Sequence, residues 1–279
     1  MSKSLRLPDV SQIPDDGKYH QDPWDPMRRH IIIHPVDPPE VVKVIGGGNS
    51  CRIGLVNDGT VLKYPLCPED GKILSVEAQI LSALGDHDRI VKYLGRTDEG
   101  LRLERMNGGS VRSYLEKPDA SGITTKLRLK WSLQAAEAVA FIHSKGVIHC
   151  DIHTNNLLLD DRLDVKLCDF QGTYGSLDGE AMEGVRSFLP RAPVTTPPTV
   201  STDLFALGSA IYEIMTGHEP FEGLEEDEVG RLYAEGKFPA VDALVGGDII
   251  QGCWETRCQS GQEIVERLVA LQMSRHWLD

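Results

Sequence analysis

The chain has 279 residues, in which 42 Asp and Glu outnumber 29 Lys and Arg for a formal charge of −13. That acidic excess argues against a nucleic-acid grip or a polybasic membrane anchor, both of which need surplus cations. With 41 % apolar and 25 % charged residues the composition is that of a folded protein, and at roughly 150 residues per unit it allows two structural units or one domain of two lobes.

No stretch approaches the roughly 18 consecutive apolar residues of a membrane span, and the start MSKSLRLPDV has no hydrophobic signal core. A cytoplasmic protein is expected. The six cysteines, at 51, 67, 150, 168, 253 and 258, have no CxxC spacing, and so read as reduced thiols rather than a zinc clip or a disulfide framework.

In chain order, residues 1–37 form a polar, Pro-rich extension with neither a helical nor a strand period, expected to be mostly unordered. A β-branched run begins at Val41, and two further runs, RIGLV and TVLKY, flank Asn57-Asp58-Gly59, the signature of a hairpin. Ile73, Val76, Ile80, Leu81 and Leu84 recur at helical spacing up to Gly85. A second helix is predicted over residues 125–145, with Leu127, Trp131, Ala135, Ala138 and Ile142 on one stripe and Gly146 as the stop. A third runs through STDLFALGSAIYEIMTG, with Ser201, Thr202 or Asp203 as N-cap and Gly217 at its end.

Several residues on this frame carry chemistry. Gly46, Gly47 and Gly48 lie between two strands, where missing Cβ atoms let backbone N–H groups approach phosphates; three such glycines also make an ordinary tight turn. Lys63 lies on the next strand pair, where a lone lysine can equally be a solvated edge residue. Glu77 follows on the first helix, able to reach back to Lys63 or to face solvent. In His149-Cys150-Asp151-Ile152-His153-Thr154-Asn155-Asn156 an acid precedes an amide by five residues, one oxygen suited to accept a hydroxyl proton and the other to hold a metal ion. Asp169, in Leu167-Cys168-Asp169-Phe170-Gln171-Gly172, supplies a second carboxylate, and with Asn156 makes the hard oxygen pair that Mg²⁺ prefers.

Taken in this order, the glycine loop, Lys63, Glu77, the H-x-D-x-x-x-x-N segment, the D-F-x motif and the tract Thr202–Gly217 resemble the protein-kinase family over roughly residues 40–275. The resemblance implies an α+β fold of two lobes. A small antiparallel sheet with one helix (38–106) would lie over a mainly helical lobe (107–277), with ATP between them. It further implies that Lys63 binds phosphates, Glu77 holds Lys63, Asp151 orients the substrate hydroxyl, and Asn156 and Asp169 bind Mg²⁺. Ile45, Gly46, Gly47, Gly48, Ile53 and Val61 would line the nucleotide site. Glu104-Arg105-Met106 would meet adenine through the backbone with Leu103 at the mouth, and Ser110 would lie near the ribose. The implied activity is ATP- and Mg²⁺-dependent transfer to a protein hydroxyl, Ser or Thr rather than Tyr, with no nucleic-acid or membrane partner.

Departures from the family pattern keep two rivals open. Cys150 stands where an arginine can clamp a phosphorylated loop, His153 where a lysine steadies the γ-phosphate, Gln171 in place of the D-F-G glycine, and Arg191 where a glutamate is usual. These suggest a pseudokinase acting as an interaction module. The D-x-H-x-x-N spacing is also similar to that of aminoglycoside- and choline-type phosphotransferases. Cys150 beside His149 does not read as a thiol nucleophile, because a small buried thiol accounts for it.

Overall fold

The computed structural model describes residues 19–21, 29–31, 37–48, 50–67, 70–118, 120–179, 181, 183–190 and 196–274. By internal contact the chain divides into Met1–Asp37 and Pro38–Asp279. In the first unit β1 (Tyr19–Gln21) and β2 (Arg29–Ile31) pair antiparallel, Tyr19 opposite Ile31. The expectation of an unordered extension otherwise concerns residues outside those described. The strand pairing is local, its ladder bonds made by backbone groups that every residue other than proline carries.

The β-branched runs of the second unit form β3 (Lys43–Gly47), β4 (Cys51–Asn57) and β5 (Thr60–Pro65). After α1 (Gly71–Leu84) come β6 (Tyr93–Arg96) and β7 (Leu101–Glu104). The five strands make one antiparallel sheet in the order β3-β4-β5-β7-β6. Asn57 turns the β4–β5 hairpin by accepting the Gly59 N–H on its own side-chain oxygen at 2.9 Å. β3, at the sheet edge, is exposed along its length, whereas Val61 to Tyr64 on central β5 are all buried. Helix α1 lies against β5 and β6. Its stripe is wider than the spacing predicts: Leu74 is buried and Ile73 only half-buried, because Leu74 and Ala78 fill a small cluster with Cys51 and Leu101 while Val76, Ile80, Leu81 and Leu84 join the main core.

The second lobe opens with β8 (Gly109–Ser110), α2 (Val111–Leu115) and α3 (Thr125–Ser144). Thr124 caps α3 by accepting the Leu127 N–H, and Gly146, at φ +77°, makes the left-handed exit. Short strands β9 (Val147–Ile148), β10 (Leu157–Leu159), β11 (Val165–Leu167), β12 (Thr173–Tyr174) and β13 (Leu177–Asp178) carry the segment between the helices. They form two ladders, β11-β10-β8 and β13-β12-β9. Then follow α4 (Val200–Thr216), α5 (Glu226–Ala234), α6 (Gly247–Trp254) and α7 (Gly261–Ser274). No helix among the described residues is long and apolar enough to cross a membrane.

Every residue of α4 from Thr202 to Ile214 is buried, so this helix is the axis of the lobe, with α3 and α6 packed on it. Its N-cap is Thr199, not a residue of 201–203 as predicted, and Thr202 Oγ1 accepts the Thr199 N–H at 3.0 Å. The helix starts early because Asp203, an apt cap by composition, is turned inward to other N–H groups. The two lobes share one core running from Val61 and Leu103 of the sheet to Trp254 and Leu268. They are also stitched through the backbone, with Val91 N–H donating to Leu167 O at 3.0 Å and Leu167 N–H to Arg89 O at 2.8 Å. Ile142 is fully enclosed on the inner face of α3. Ile142→Ala should therefore lower unfolding stability by about 2–5 kcal/mol in a denaturant titration, from lost apolar transfer and an unfilled cavity.

Candidate active site

Lys63 is on the most buried strand of the sheet, with its side chain 6 % exposed, a position a lysine can hold only with its charge matched. Two carboxylates do so. Glu77 Oε2 lies 2.6 Å from the ammonium and Asp169 Oδ1 2.5 Å from it, so β5, α1 and the segment after β11 meet at one nitrogen. Burial pulls the lysine down, but Glu77 and Asp169 outweigh it and hold it well above its ordinary range. Burial likewise works against ionised Asp169, yet the Lys63 charge keeps it below the usual carboxylate value. Glu77 is raised by its own burial against the pull of Lys63, and the nearby Asp169 charge adds to the rise. The Phe170 N–H donates to Glu77 Oε1 at 3.3 Å, binding the helix to the D-F motif a second time.

The loop between β9 and β10 holds Asp151, His153 and Asn156, the residues expected to handle the substrate proton and a metal ion. Cys150 and Asp169 both adopt φ +66°, a left-handed conformation costly to side chains with a Cβ. At Cys150 the cause is visible: Asp203 of α4 accepts the Cys150 N–H on Oδ1 at 2.9 Å and the His149 N–H on Oδ2 at 2.8 Å, while His143 Nε2 lies 2.8 Å from the same Oδ2. His149 Nε2 bonds the Cys168 carbonyl at 2.9 Å, which puts the ring proton on Nε2, and Nδ1 then accepts the Asp151 N–H at 3.3 Å. This imidazole joins the acid-bearing loop to the D-F segment. Burial, with Asp203 next, pushes the Cys150 thiol up to about 12, so it is neutral and no nucleophile near pH 7.

Asp151, Asn156 and His153 form one group. Asn156 Nδ2 donates to the Asp151 carbonyl at 2.9 Å and to its Oδ2 at 3.0 Å. His153 Nδ1 accepts the Asn155 N–H at 3.2 Å, which leaves the ring proton on Nε2, 3.3 Å from Asp151 Oδ2. Asp151 thus keeps Oδ1 as an acceptor while neighbours hold the other oxygen. Cys168 N–H donates to the Asn156 carbonyl at 3.0 Å, which sets Asn156 and Asp169 at one end of the β10–β11 ladder. With its NH₂ engaged, Asn156 retains Oδ1 as a hard ligand. Among the described residues no group of three or more His, Cys, Asp or Glu could hold a metal. The pair Asn156 and Asp169 nevertheless fits Mg²⁺, which takes few protein oxygens and completes its shell with water and phosphate. Gln171 Nε2 lies 2.6 Å from Asp169 Oδ1, an unexpected contact at the position where glycine is usual.

The predicted nucleotide wall is distributed as follows. Gly46 and Gly47 end β3, and the Gly48 N–H donates to Cys51 O at 2.9 Å; a Cβ on Gly47 would stand 3.0 Å from that same oxygen, so the return is tight there and a larger residue would push the two strands slightly apart. Ile45 is exposed on the edge strand. Ile53, Val61, Leu103 and Met106 all border the main core, with Val61 directly opposite Leu103. Glu104 is anchored to Lys166 at 2.6 Å, and the Glu104 and Arg105 N–H groups bond Lys92 O and Gly59 O. Ser110 caps α2, its Oγ accepting the Ser113 N–H at 3.1 Å. Arg191 lies outside the described residues.

Three participants have no function legible in the sequence. Asp203 reads there as a possible cap and His149 as part of a motif, while Arg112 links the loop after β9 to α4, its N–H donating to Thr154 O at 3.3 Å and its guanidinium pairing with Glu213 at 2.9 Å and with Glu219. No local pattern marks them, since each acts across a fold contact.

A sequence model described as the protein kinase domain matches residues 63–275, and the chain belongs to that family. It is 29 % identical over 192 residues to the serine/threonine/tyrosine-protein kinase HT1 of Arabidopsis thaliana, covering 64 % of this chain and 48 % of that one. It is 27 % identical over 233 residues to receptor-interacting serine/threonine-protein kinase 1 of Homo sapiens, covering 72 % and 34 %. Over 159 residues it is 30 % identical to the mitogen-activated protein kinase kinase kinase mom-4 of Caenorhabditis elegans, covering 52 % and 28 %. The chain spans less than half the length of these curated relatives.

Asp203→Ala would leave the His149 and Cys150 N–H groups buried and unpaired, at about 1–3 kcal/mol each. The variant should unfold at lower denaturant and lose the Cys150 conformation, read as a shift of the Cys150 and Asp151 amide resonances.

Proposed function

We propose that this chain transfers the γ-phosphate of ATP, with Mg²⁺, to a serine or threonine hydroxyl of a protein. The observation that carries the reading is the buried Lys63 ammonium held between Glu77 and Asp169, because the pair with Glu77 fixes its charge inside the cleft, where a phosphate would take the place of Asp169. Lys63 would bind the α- and β-phosphates and Glu77 would keep it extended into the cleft. Ile53, Val61, Leu103 and Met106 would sandwich the adenine, with Met106 supplying backbone contacts, under the glycine hairpin of Gly46 to Gly48. Asp151 would orient the substrate hydroxyl and accept its proton on Oδ1 as the new P–O bond forms. His153, donating to Asp151 Oδ2, takes the place of a lysine and supplies orientation with less charge. Asn156 and Asp169 would hold Mg²⁺, which when bound neutralises phosphate charge.

Gln171 supports a second reading. Its amide on Asp169 Oδ1 adds a second donor to the carboxylate that would meet the metal, as expected of a domain that binds partners without turnover. Both readings are tested by incubating the purified chain with ATP, a hydroxyl-bearing protein such as casein, and either Mg²⁺ or chelator. Mg²⁺-dependent phosphoserine or phosphothreonine is expected, falling by about 10²–10⁴ in Asp151→Asn as the general base is lost. No turnover, with nucleotide binding indifferent to Mg²⁺ and to Asp169→Ala, would establish the second reading. ADP formation stimulated only by a small amine or alcohol would point to small-molecule transfer.

The geometry also bears on control by phosphorylation. Cys150 is buried and carries no charge, and Arg186 is already paired with Glu219 at 3.2 Å and with the Leu224 carbonyl at 2.7 Å. Cys150 therefore cannot receive a phosphate on Thr173, Tyr174, Ser176 or Ser187, and of the basic side chains that would have to substitute, Arg105 and Arg186, the second keeps only its buried Nη1 without a partner. Phosphatase-treated protein is therefore expected to retain its full rate, and a loss restored by a phosphomimetic at Thr173, Ser176 or Ser187 would contradict this.

A further inference from the structure

The sequence gives no hint that two of the scattered cysteines meet, but Cys253, on the last turn of α6, and Cys258, in the loop before α7, have their sulfurs 3.9 Å apart. The approach is built into the backbone. The Arg257 and Cys258 N–H groups both return to the Gly252 carbonyl, at 2.8 and 3.2 Å, wrapping the loop against the end of α6. A Cβ at Gly252 would stand 3.1 Å from Cys258 Sγ, so the glycine leaves room for the sulfur. Thr256 completes the turn at φ +54°, an unusual conformation for a β-branched residue.

The surroundings of the two sulfurs differ. Cys253 packs directly on Gly208 of α4 and donates its S–H to Cys258. The Arg267 guanidinium of α7 lies 3.5 Å from Cys258 Sγ, while its other nitrogen holds Asp248 at 2.9 Å; Glu263 stands 3.7 Å away. The Cys253 hydrogen bond, working against burial and helped by Arg267, brings the Cys258 thiol down to about 7, whereas the same hydrogen bond and burial drive Cys253 well up. Such an asymmetry separates an attacking sulfur from a resolving one.

We propose that Cys253 and Cys258 form a peroxide-oxidisable dithiol that closes to an intramolecular disulfide. The Cys258 thiolate attacks one oxygen of hydrogen peroxide, the O–O bond breaks, and the departing hydroxide takes a proton to leave as water, giving the sulfenic acid of Cys258. Cys253 sulfur then attacks Cys258 sulfur. The S–O bond breaks, the hydroxide leaves with the Cys253 proton as a second water, and the S–S bond forms. Two thiols lose two electrons in all, and one peroxide is reduced to two waters. The sulfurs must close from 3.9 Å to about 2.05 Å. The loop can supply that movement, since Glu255, Thr256, Arg257, Gln259 and Ser260 are exposed on either side of Cys258. Cys258 is 2 % and Cys253 1 % exposed, so peroxide reaches the Cys258 sulfur when this same loop opens.

The test treats the reduced full chain with hydrogen peroxide, blocks remaining thiols with iodoacetamide, and maps peptides without reduction. The expected result is a Cys253–Cys258 linked peptide lacking two hydrogens, the loss of both alkylation sites, and their recovery after dithiothreitol. In Cys253→Ala the linked peptide should vanish and Cys258 should be trapped by dimedone as the sulfenic acid. If that variant does not fold, the wild-type map alone decides. Both thiols still alkylated after peroxide, or Cys258 carried to sulfinic acid with Cys253 free, would overturn the proposal.

Discussion

The site is organised around one buried ammonium. A lysine taken out of water is tolerated only when its lost hydration is replaced, and Lys63 recovers it from Glu77 and Asp169. Because those carboxylates come from a helix of the sheet lobe and from the far end of the helical lobe's β-ladders, satisfying one charge fixes the relation of three elements. The carboxylates depend on the lysine in turn, since two acids so near each other could not both ionise without it. The Phe170 N–H on Glu77 adds a backbone tie between the same elements. Whatever displaces Lys63 from Asp169 must therefore offer Asp169 another positive partner, a part that a metal ion would play in the proposed function.

A second buried charge has a different task. Asp203 contacts no group that would meet a substrate, yet it accepts from two consecutive N–H groups and lies against a histidine. The Cys150 conformation is unfavourable by itself, and a rigid acceptor pair on the most buried helix holds it. The acid of the catalytic loop is thereby aimed by α4, a helix whose own start was moved upstream to Thr199 when Asp203 turned inward. Arg112 reinforces the same junction from the side through Glu213 and Glu219.

The departures from the family pattern fall into kinds when seen in place. Cys150 is a small neutral group in a closed space and removes a phosphate receptor without disturbing the turn. His153 keeps a donor on Asp151 but supplies no fixed positive charge. Gln171 changes the chemistry most directly, because its amide competes for the very oxygen of Asp169 that Lys63 holds. Gly172, next in sequence, could not be replaced in the same way: a Cβ there would come within 2.0 Å of the Ile148 carbonyl oxygen.

Read alone, the sequence determined what is local. The hairpin at Asn57-Asp58-Gly59, the helices ending at Gly85, Gly146 and Gly217, and the order of Lys63, Glu77, Asp151, Asn156 and Asp169 were legible because turn residues, helical period and motif spacing are properties of neighbours along the chain. Tertiary structure alone decided which of two open meanings each residue took. Lys63 became a buried ion pair rather than an edge lysine because β5 lies at the centre of the sheet, and Glu77 faced inward because α1 buries two stripes with Glu77 between them. Asp203 became a brace rather than a cap, and Cys253 met Cys258 through a return of the backbone onto Gly252 that no spacing rule announces. In each case the deciding quantity was burial, and with it the cost of an unmatched polar group, which depends on elements distant in the chain.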